Sequence, residues 1–197
     1  MPNILLFGAG GVGVTYAYIL TKGGAKVTTV CRSNFSAAKD DGFTLESQMW
    51  GTHSFKPHAV VRSVADAQGP FDYIVVCSKA SVGVTPSAAE LIKPAVGPET
   101  TIVLCQNGIG IEEEYHALYP GNTIISGVVY LPVTQIRQGY VIHGELETLE
   151  VGLYPANSTN YDPPSLATFT HTFSSGGGTI RAYPDVQERR WTKLIVR

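Results

Sequence analysis

The chain has 197 residues and a formal net charge of −2 at pH 7, and 44% of its residues are hydrophobic and 15% are charged. These values exclude a disordered or fibrous chain, and the scattered Lys and Arg residues give no support to nucleic-acid binding. The length suits one α/β domain, with an appendage at most. Because the amino terminus lacks a basic signal-peptide region and no apolar run approaches the roughly 18 residues of a membrane span, we expect no membrane association and a cytoplasmic location.

The first part of the chain has the pattern of a strand, a helix and a second strand. The apolar run Asn3–Phe7 predicts the first strand, Gly11–Lys22 the helix and Lys26–Val30 the second strand. Strands and helices alternate further on, with strands at Tyr73–Cys77, Thr101–Cys105 and Thr123–Val129 and helices at about Thr85–Ile92 and Ile109–Tyr119. Such alternation predicts a mostly parallel sheet covered by helices on both faces.

Two stretches interrupt this alternation. Gly42–Ser47 and His53–Val60 are predicted to be short strands of a hairpin. After Pro132 the chain becomes β-rich, and Tyr140–His143 and Thr148–Val151 are expected to form an antiparallel addition at the sheet edge. The remaining segments predict a helix at about Ser165–Ser175, a strand at Thr179–Ala182 and a last helix that opens at Pro184 and runs to the terminus.

A glycine-rich loop joins the first strand to the first helix. Residues 8–13 (GAGGVG) match Gly-x-Gly-x-x-Gly, a pattern that gains weight directly after a strand and at the start of a helix. Gly8 would make the tight turn, Gly10 would admit a pyrophosphate and Gly13 would let helix and strand pack closely. The helix amino terminus also presents free N–H groups to an anion, so the predicted cofactor residues here are Gly8, Gly10, Gly11, Val12 and Gly13. The alternative is a glycine-rich turn without a ligand.

The end of the second strand bears on the choice of dinucleotide. NAD enzymes usually place Asp or Glu there to hold the ribose 2′-hydroxyl, whereas this strand ends in Arg32, Ser33 and Asn34. Arg32 can pair with a 2′-phosphate through its planar guanidinium, and Ser33 and Asn34 can add hydrogen bonds. The alternative is that Arg32 is solvated while Ser33 or Asn34 caps the next helix. The absence of an acidic residue and the presence of Arg32 favour NADP(H). The glycine loop and the alternating strands and helices predict a Rossmann-type, doubly wound α/β fold, with a core at 1–131 and a β-rich extension with the last helices at 132–197.

Three cysteines, Cys31, Cys77 and Cys105, fall at or just after the ends of predicted strands. Their odd number and the absence of a Cys-x-x-Cys spacing predict neither a disulfide framework nor a metal site. Each is interpreted either as a small core residue or as a position where a small side chain lets a ligand approach.

Several segments together resemble the ketopantoate reductase family, the 2-dehydropantoate 2-reductases. The resemblance runs the full length of the chain and rests on the glycine loop, Val30-Cys31-Arg32, Val76-Cys77-Ser78-Lys79-Ala80, Gln106-Asn107-Gly108-Ile109-Gly110, Val141-Ile142-His143-Gly144 and Arg190-Trp191-Thr192-Lys193-Leu194. It implies NADPH-dependent reduction of a 2-keto acid to the 2-hydroxy acid.

The resemblance also implies roles for three residues. Lys79 would contact the cofactor, Asn107 would bridge the cofactor and the substrate hydroxyl, and Lys193 would donate the proton to the keto oxygen. Lys79 and Asn107 follow strand ends, where ligands of open parallel sheets lie, and a lysine suits acid catalysis where partial desolvation brings its pKa towards neutrality. The alternatives are a surface lysine at Lys79, a simple turn at Asn107 and an exposed cation near a helix end at Lys193.

Two features depart from the family pattern. The position four beyond Lys193 is usually Asn in the family, whereas here it is Arg197. Because Arg189, Lys193 and Arg197 are spaced by four residues, they are predicted to share one helix face and to repel each other unless an anion or a carboxylate faces them. The family also continues into a helical domain that supplies the substrate-carboxylate pocket. This chain ends where that domain would begin, either as a fragment or as a natural short form, and a homodimer or a partner subunit could complete the cleft.

Three functions therefore stand open from the sequence. The first is an NADPH-dependent 2-keto acid reductase that acts on a small-molecule substrate. The second is a shortened Rossmann domain that uses its crevice for isomerase, cyclase or lyase chemistry on a larger apolar substrate. The third is a non-catalytic NADP-binding or interaction module. Its contact surface could include Tyr16, Tyr18, Tyr115, Tyr119 and Tyr130, although aromatic residues at helical spacing are more often core residues.

Overall fold

The structure is a computed structural model that describes residues 1–80, 83–156 and 163–195. Its strands are β1 Asn3–Phe7, β2 Lys26–Val30, β3 Phe43–Ser47, β4 Gly51–Phe55, β5 Ala59–Val61, β6 Tyr73–Val76, β7 Thr101–Leu104, β8 Ile124–Tyr130, β9 Val133–Arg137, β10 Tyr140–His143, β11 Thr148–Tyr154 and β12 Ile180–Ala182. Its α-helices are α1 Gly11–Lys22, α2 Phe35–Asp40, α3 Ala88–Ile92, α4 Glu112–Leu118, α5 Pro164–Ser175 and α6 Gln187–Ile195.

A large eight-stranded sheet has the order β12-β11-β8-β7-β6-β1-β2-β5. The strands from β8 to β5 in this order pair in parallel, while β11 runs antiparallel to β8 and β12 runs parallel to β11. The mostly parallel Rossmann-type sheet, its antiparallel extension and the carboxy-terminal helix confirm the predicted fold class.

Two hydrophobic clusters cover the two faces of this sheet. Alternate residues of β1 point to opposite sides, so that Ile4 and Leu6 join the cluster with α1 and α5, whereas Leu5 and Phe7 join the cluster with α3 and α4. Because both faces are covered, strands β1, β6 and β7 read as continuous apolar runs rather than as alternating patterns.

A second, four-stranded sheet has the order β4-β3-β10-β9 and packs on α1. The predicted hairpin is confirmed in β3 and β4, but the predicted strand at residues 53–60 is divided at the buried Pro57, which has no N–H to donate to a ladder. The part after Pro57 forms β5 at the edge of the large sheet. The prediction for β10 was wrong in its place, because β10 pairs with β3 and β9 in the small sheet, and only β11 extends the large sheet antiparallel.

Three helices begin later than their sequence patterns predicted. Helix α3 begins after Ser87, whose hydroxyl accepts a hydrogen bond from the Glu90 N–H at 3.1 Å in a capping box. Helix α4 begins only at Glu112, because Gly108 and Gly110 have φ values of 128° and 71°, outside the helical range. Helix α6 begins at Gln187, whose N–H donates to Asp185 Oδ1 at 2.8 Å.

No helix among the described residues is long and apolar enough to cross a membrane. The division of the chain into a core at 1–131 and an extension at 132–197 stays a prediction.

Candidate functional site

The three motif glycines serve different purposes at the end of β1. Gly8 has a φ of 103°, and a Cβ there would lie 2.5 Å from the Ser78 backbone nitrogen. A Cβ on Gly13 would collide with the Gly8 carbonyl oxygen, whereas a Cβ on Gly10 would meet no atom within 4 Å. The fold therefore requires bare glycine at Gly8 and Gly13, while Gly10 leaves open space at the amino terminus of α1.

Gly11 and Val12 turn towards the protein rather than towards this open space. A Cβ on Gly11 would lie 3.2 Å from Val133 Cγ1 of β9, and Val12 packs against the core. Both residues lie in the first helical turn, where N–H groups lack partners within the helix. Any contact of these two residues with an anion would therefore come from their backbone amides.

A cavity of about 320 Å³ lies beside the glycine loop. Its lining includes the predicted cofactor residues Gly8, Gly10, Arg32, Ser33 and Lys79, which come from loops after β1, β2 and β6. The carboxyl ends of these neighbouring parallel strands meet at one edge of the sheet, where open α/β sheets bind ligands. The structure thus brings together residues from three loops that are well separated in the sequence.

Arg32 lies exposed at the end of β2, between this cavity and a second one of about 260 Å³. Within the part of the chain that the structure describes, its guanidinium forms no ion pair with a carboxylate. Arg62, at the end of β5, lines the second cavity too, and its guanidinium stacks 4.1 Å from the centroid of the Phe35 ring. Two arginines therefore line the second cavity at the ends of β2 and β5, together with the carboxylate of Glu90 from α3.

Asn34 has a different role from the one predicted. Its side chain is buried, donates from Nδ2 to the Ala9 carbonyl at 2.5 Å, and exchanges hydrogen bonds with the amide of Gln135 at 3.1 and 2.7 Å. It gives no side-chain cap to α2. The expected hydrogen bond from Asn34 to a phosphate was thus wrong, because the amide already fastens the glycine loop to β9. Sequence reasoning missed Gln135, and no local pattern could have found it.

The predicted catalytic residues Asn107 and Lys193 meet at the other end of the crevice. Lys193 Nζ donates to Asn107 Oδ1 at 2.7 Å and to the Val129 carbonyl, and it lies 5.1 Å from the centroid of the Tyr130 ring. A small cavity of about 40 Å³ borders on both side chains, with Ile109 and Leu194 on its rim. Lys193 is half-buried and Asn107 is exposed, so the amine lies where an open surface meets the protein.

Arg190 lies one helical turn before Lys193 and was given no role from the sequence. It is 4% exposed and pairs with the buried Glu112, whose Oε1 lies 2.7 Å from Arg190 Nε. Burial lowers the pKa of Arg190 and the Glu112 carboxylate opposes that effect, so the guanidinium stays charged. A buried, paired arginine beside the predicted acid was not visible in the sequence, because Arg189 and Arg190 are identical neighbours.

The structure shows contacts for two of the three cations on the predicted face of the last helix, and their mutual repulsion stays a prediction. The Arg189 guanidinium stacks 4.5 Å from the centroid of the Tyr183 ring, whereas Lys193 faces Asn107. The third cation of that predicted face, Arg197, lies outside the described residues.

His143, in a segment that carried the resemblance, has a structural role. Its Nδ1 lies 2.9 Å from Ser47 Oγ, its Nε2 lies 2.9 Å from the Leu146 carbonyl oxygen, and its ring stacks on Trp50 at 5.0 Å. With both nitrogens engaged and the ring fully buried, His143 holds the small sheet together.

Of the two interpretations of the five tyrosines, a contact surface or core packing, the structure supports core packing for most of them. Four of the five side chains are buried in the two hydrophobic clusters, namely Tyr16, Tyr18, Tyr115 and Tyr119. Aromatic residues at helical spacing pack inwards here, because helices α1 and α4 each lie against a sheet.

The cysteines are free thiols, as the sequence predicted, and Cys31 and Cys105 are buried. Burial raises the pKa of Cys31 to about 11, so this thiol stays protonated and acts as a small core residue. No cluster of His, Cys, Asp and Glu suited to a metal ion occurs among the residues that the structure describes.

Comparisons with known proteins agree with this architecture. Residues 4–156 match a family model described as Ketopantoate reductase PanE/ApbA. An uncharacterized protein of Saccharomyces cerevisiae is 32% identical over 99% of this chain and 61% of its own length, and a 2-dehydropantoate 2-reductase of Nostoc is 27% identical over 96% and 59%. The crystal structure of 2-dehydropantoate 2-reductase from Methylococcus capsulatus superposes with a TM-score of 0.89 at 34% identity, covering 98% of this chain and 61% of that one.

The chain thus spans about three fifths of the length of these relatives, where the shares are 61% and 59%. The family match covers the glycine loop, the end of β2 and the Asn107 loop. On this match and on the shared fold, the chain belongs to the ketopantoate reductase PanE/ApbA family.

Proposed function

We propose that the chain binds NADP(H) across the carboxyl ends of β1, β2 and β6. Gly10 and Arg32 line the same cavity, so one crevice offers an open helix amino terminus for a pyrophosphate and a guanidinium for a 2′-phosphate. A guanidinium favours a phosphate dianion over a neutral 2′-hydroxyl. Ser33 and Lys79 add a hydroxyl and a second cation to the same lining.

The proposed reaction is reduction of a 2-keto acid to its 2-hydroxy acid, and the hydrogen bond between Lys193 Nζ and Asn107 Oδ1 carries this proposal. When bound, NADPH would supply the hydride that the keto carbon accepts. Lys193 donates the proton to the keto oxygen, and Asn107 holds the amine at the mouth of the small cavity. The relatives named 2-dehydropantoate 2-reductase support this substrate class.

The proposed substrate pocket needs further protein surface. Trp191, Leu194 and Ile195 are large apolar side chains exposed on α6, the helix that carries Lys193. We infer that the part of the relatives that this chain does not match covers this surface, either on the same polypeptide or on a partner subunit. Without such closure a keto acid would be poorly held, and poor positioning costs several kcal/mol in rate.

Replacing Arg32 tests the choice of cofactor. We expect Arg32→Ala to weaken NADPH binding by about 1.5–3 kcal/mol, the scale of a charge-assisted contact, while NADH binding hardly changes. Both affinities are measured by fluorescence titration. Arg181→Ala is the matched control, since Arg181 is exposed on β12 at the opposite edge of the sheet. Equal losses for NADPH and NADH would contradict the assignment of Arg32.

Replacing Lys193 tests the reaction. NADPH oxidation with ketopantoate is followed for this chain alone and after the unmatched part of a relative is supplied, fused or in trans. We expect the completed protein to be the faster, and Lys193→Ala to lower its rate about 10²-fold or more. The reductase proposal fails if the completed protein is inert towards short 2-keto acids while this chain alone converts another substrate. If a second copy of this chain, rather than the unmatched part of a relative, completes the cleft, native mass measurement would show a dimer.

A further inference from the structure

Arg190 is the most extensively hydrogen-bonded side chain near the proposed acid. Its Nε lies 2.9 Å from Ser126 Oγ, its NH1 donates to the carbonyls of Gln106 and Gly108 at 3.0 Å each, and its NH2 donates to the Gly127 carbonyl at 3.0 Å. Two of these acceptors lie in the loop after β7, and the other two, Ser126 and Gly127, lie on β8. One planar group therefore fastens α6 to both segments.

The positions of these acceptors matter more than their number. The carbonyls of Gln106 and Gly108 belong to the residues on either side of Asn107. The Gly127 carbonyl lies on β8, two residues before Val129, whose carbonyl accepts from Lys193. Arg190 thus hydrogen-bonds to the backbone on both sides of Asn107 and to β8, the strand whose Val129 carbonyl accepts from Lys193.

Glu112 fixes the guanidinium in turn. Its Oε1 accepts from Ser126 Oγ at 2.5 Å and from Gln187 Nε2 at 3.0 Å, as well as pairing with Arg190. The Glu112 side chain is fully buried, and its Oε2 has no hydrogen-bond partner among the described residues. Burying such a pair costs desolvation energy that an apolar pair of similar volume would not cost. The pair is therefore better explained by the geometry it imposes than by stability.

We propose that Arg190, held by Glu112, is a positioning residue that sets the contact between Lys193 and Asn107. This inference rests on the proposed function, in which Lys193 donates the proton. The guanidinium has five donors in a fixed plane, so α6 can neither rotate nor slide against the Asn107 loop without breaking several hydrogen bonds together. Since Lys193 is one turn further along the same helix, the position of its amine follows from the position of Arg190.

The test separates positioning from stability. In Arg190→Leu/Glu112→Leu an apolar pair replaces the ion pair, which by itself is often neutral or stabilising. The carbonyls of Gln106, Gly108 and Gly127 lose their donor in this variant, so we expect a lower melting temperature, and each variant is compared with wild type well below its own melting temperature. Arg190→Lys keeps a cation opposite Glu112 but cannot reach both carbonyls beside Asn107, and it serves if the double variant does not fold. Arg189→Leu is the matched control, because it removes an arginine of the same helix that stacks on Tyr183.

The first readout needs no turnover. The side-chain amide resonances of Asn107 are followed by NMR, and Lys193→Ala in the wild-type background identifies the shift that reports their contact. We expect the double variant and Arg190→Lys to show that same shift, and Arg189→Leu to leave the resonances in place. Unchanged Asn107 resonances in a folded double variant or in Arg190→Lys would overturn the proposal.

The second readout is the split between kcat and KM in the form of the protein that turns over. We expect kcat to fall about 10²-fold in both Arg190 variants, the cost of a displacement of about 1 Å, while the KM for the keto acid and the Kd for NADPH change less than about threefold. Retention of kcat in a stable double variant would refute positioning by Arg190. If Lys193→Ala itself left turnover unchanged, the proposed function would fail instead, and the Asn107 resonances would still decide the role of Arg190.

Discussion

We expect Glu147→Gln to stabilise the protein at alkaline pH and to do so much less at acid pH. The Glu147 side chain is 2% exposed and accepts a hydrogen bond from the Thr179 backbone N–H at 2.5 Å. Its other oxygen has no hydrogen-bond partner in the described part of the chain. Burial, opposed in part by the Thr179 hydrogen bond, raises the pKa of Glu147 from 4.5 to about 7. The folded protein therefore keeps a proton there that the unfolded chain releases.

The sign and size of the effect follow from this difference in pKa. Between the unfolded value of 4.5 and the folded value of about 7, the folded state binds more protons, so the free energy of unfolding falls as the pH rises. At about 1.36 kcal/mol for each pKa unit, Glu147 costs about 3 kcal/mol above the folded pKa. About 2 kcal/mol of this cost appears between about pH 5.5 and about pH 8.

The assay is urea unfolding of wild type and Glu147→Gln at these two pH values, followed by far-UV circular dichroism. Because all other groups are shared, the difference between the two proteins isolates Glu147, and we expect it to grow by about 2 kcal/mol towards the higher pH. Glu145→Gln is the control, since Glu145 is exposed two residues away. A difference that stays constant, or that shrinks as the pH rises, would refute the reasoning.

Three further variants test the loop around the proposed cofactor site. Gly10→Val should leave the free energy of unfolding within about 1 kcal/mol, because a Cβ there meets no protein atom, but should weaken NADPH binding more than tenfold in a titration. Gly13→Ala should lower both the free energy of unfolding and the NADPH affinity, since its Cβ would collide with a backbone oxygen. Equal affinity losses with unchanged stability in both glycine variants would contradict the assignment of Gly13 to the fold and Gly10 to the ligand. Asn34→Ala should lower the unfolding free energy by about 1–3 kcal/mol in urea, because it leaves the Ala9 carbonyl and the Gln135 amide without their hydrogen-bond partners, and a neutral result would show that water replaces them.

The elements of the large sheet could be predicted because their patterns are local. Strand β1 is an apolar run and α1 follows a glycine loop, and both lie where the sequence predicts them. Strand β9 could not be predicted, because Val133–Arg137 is mostly exposed and shows no apolar run. The place of β10 was wrong for a related reason: its composition indicates a strand but says nothing about which strand becomes its neighbour.

The site divides in the same way. Gly10, Arg32, Lys79 and Asn107 all follow strand ends, so the open parallel sheet alone predicts that they face one crevice. The family resemblance implied a role at the substrate for Lys193 and for Asn107, but the hydrogen bond between these two residues, 86 positions apart, was not predicted. The role of Arg190 lay beyond both kinds of reasoning, since it depends on which face of α6 meets the sheet.

The hydrogen bonds between Asn34 and Gln135 join positions that lie 101 residues apart in the sequence. During synthesis on the ribosome, the glycine loop would therefore emerge long before β9, the strand whose Gln135 hydrogen-bonds to Asn34. Closing so long a loop costs entropy that only the finished small sheet can offset, which makes this part of the crevice a late step in folding. A nascent chain that stops before β9 would have every residue of the glycine loop, yet this loop would lack one of its main attachments.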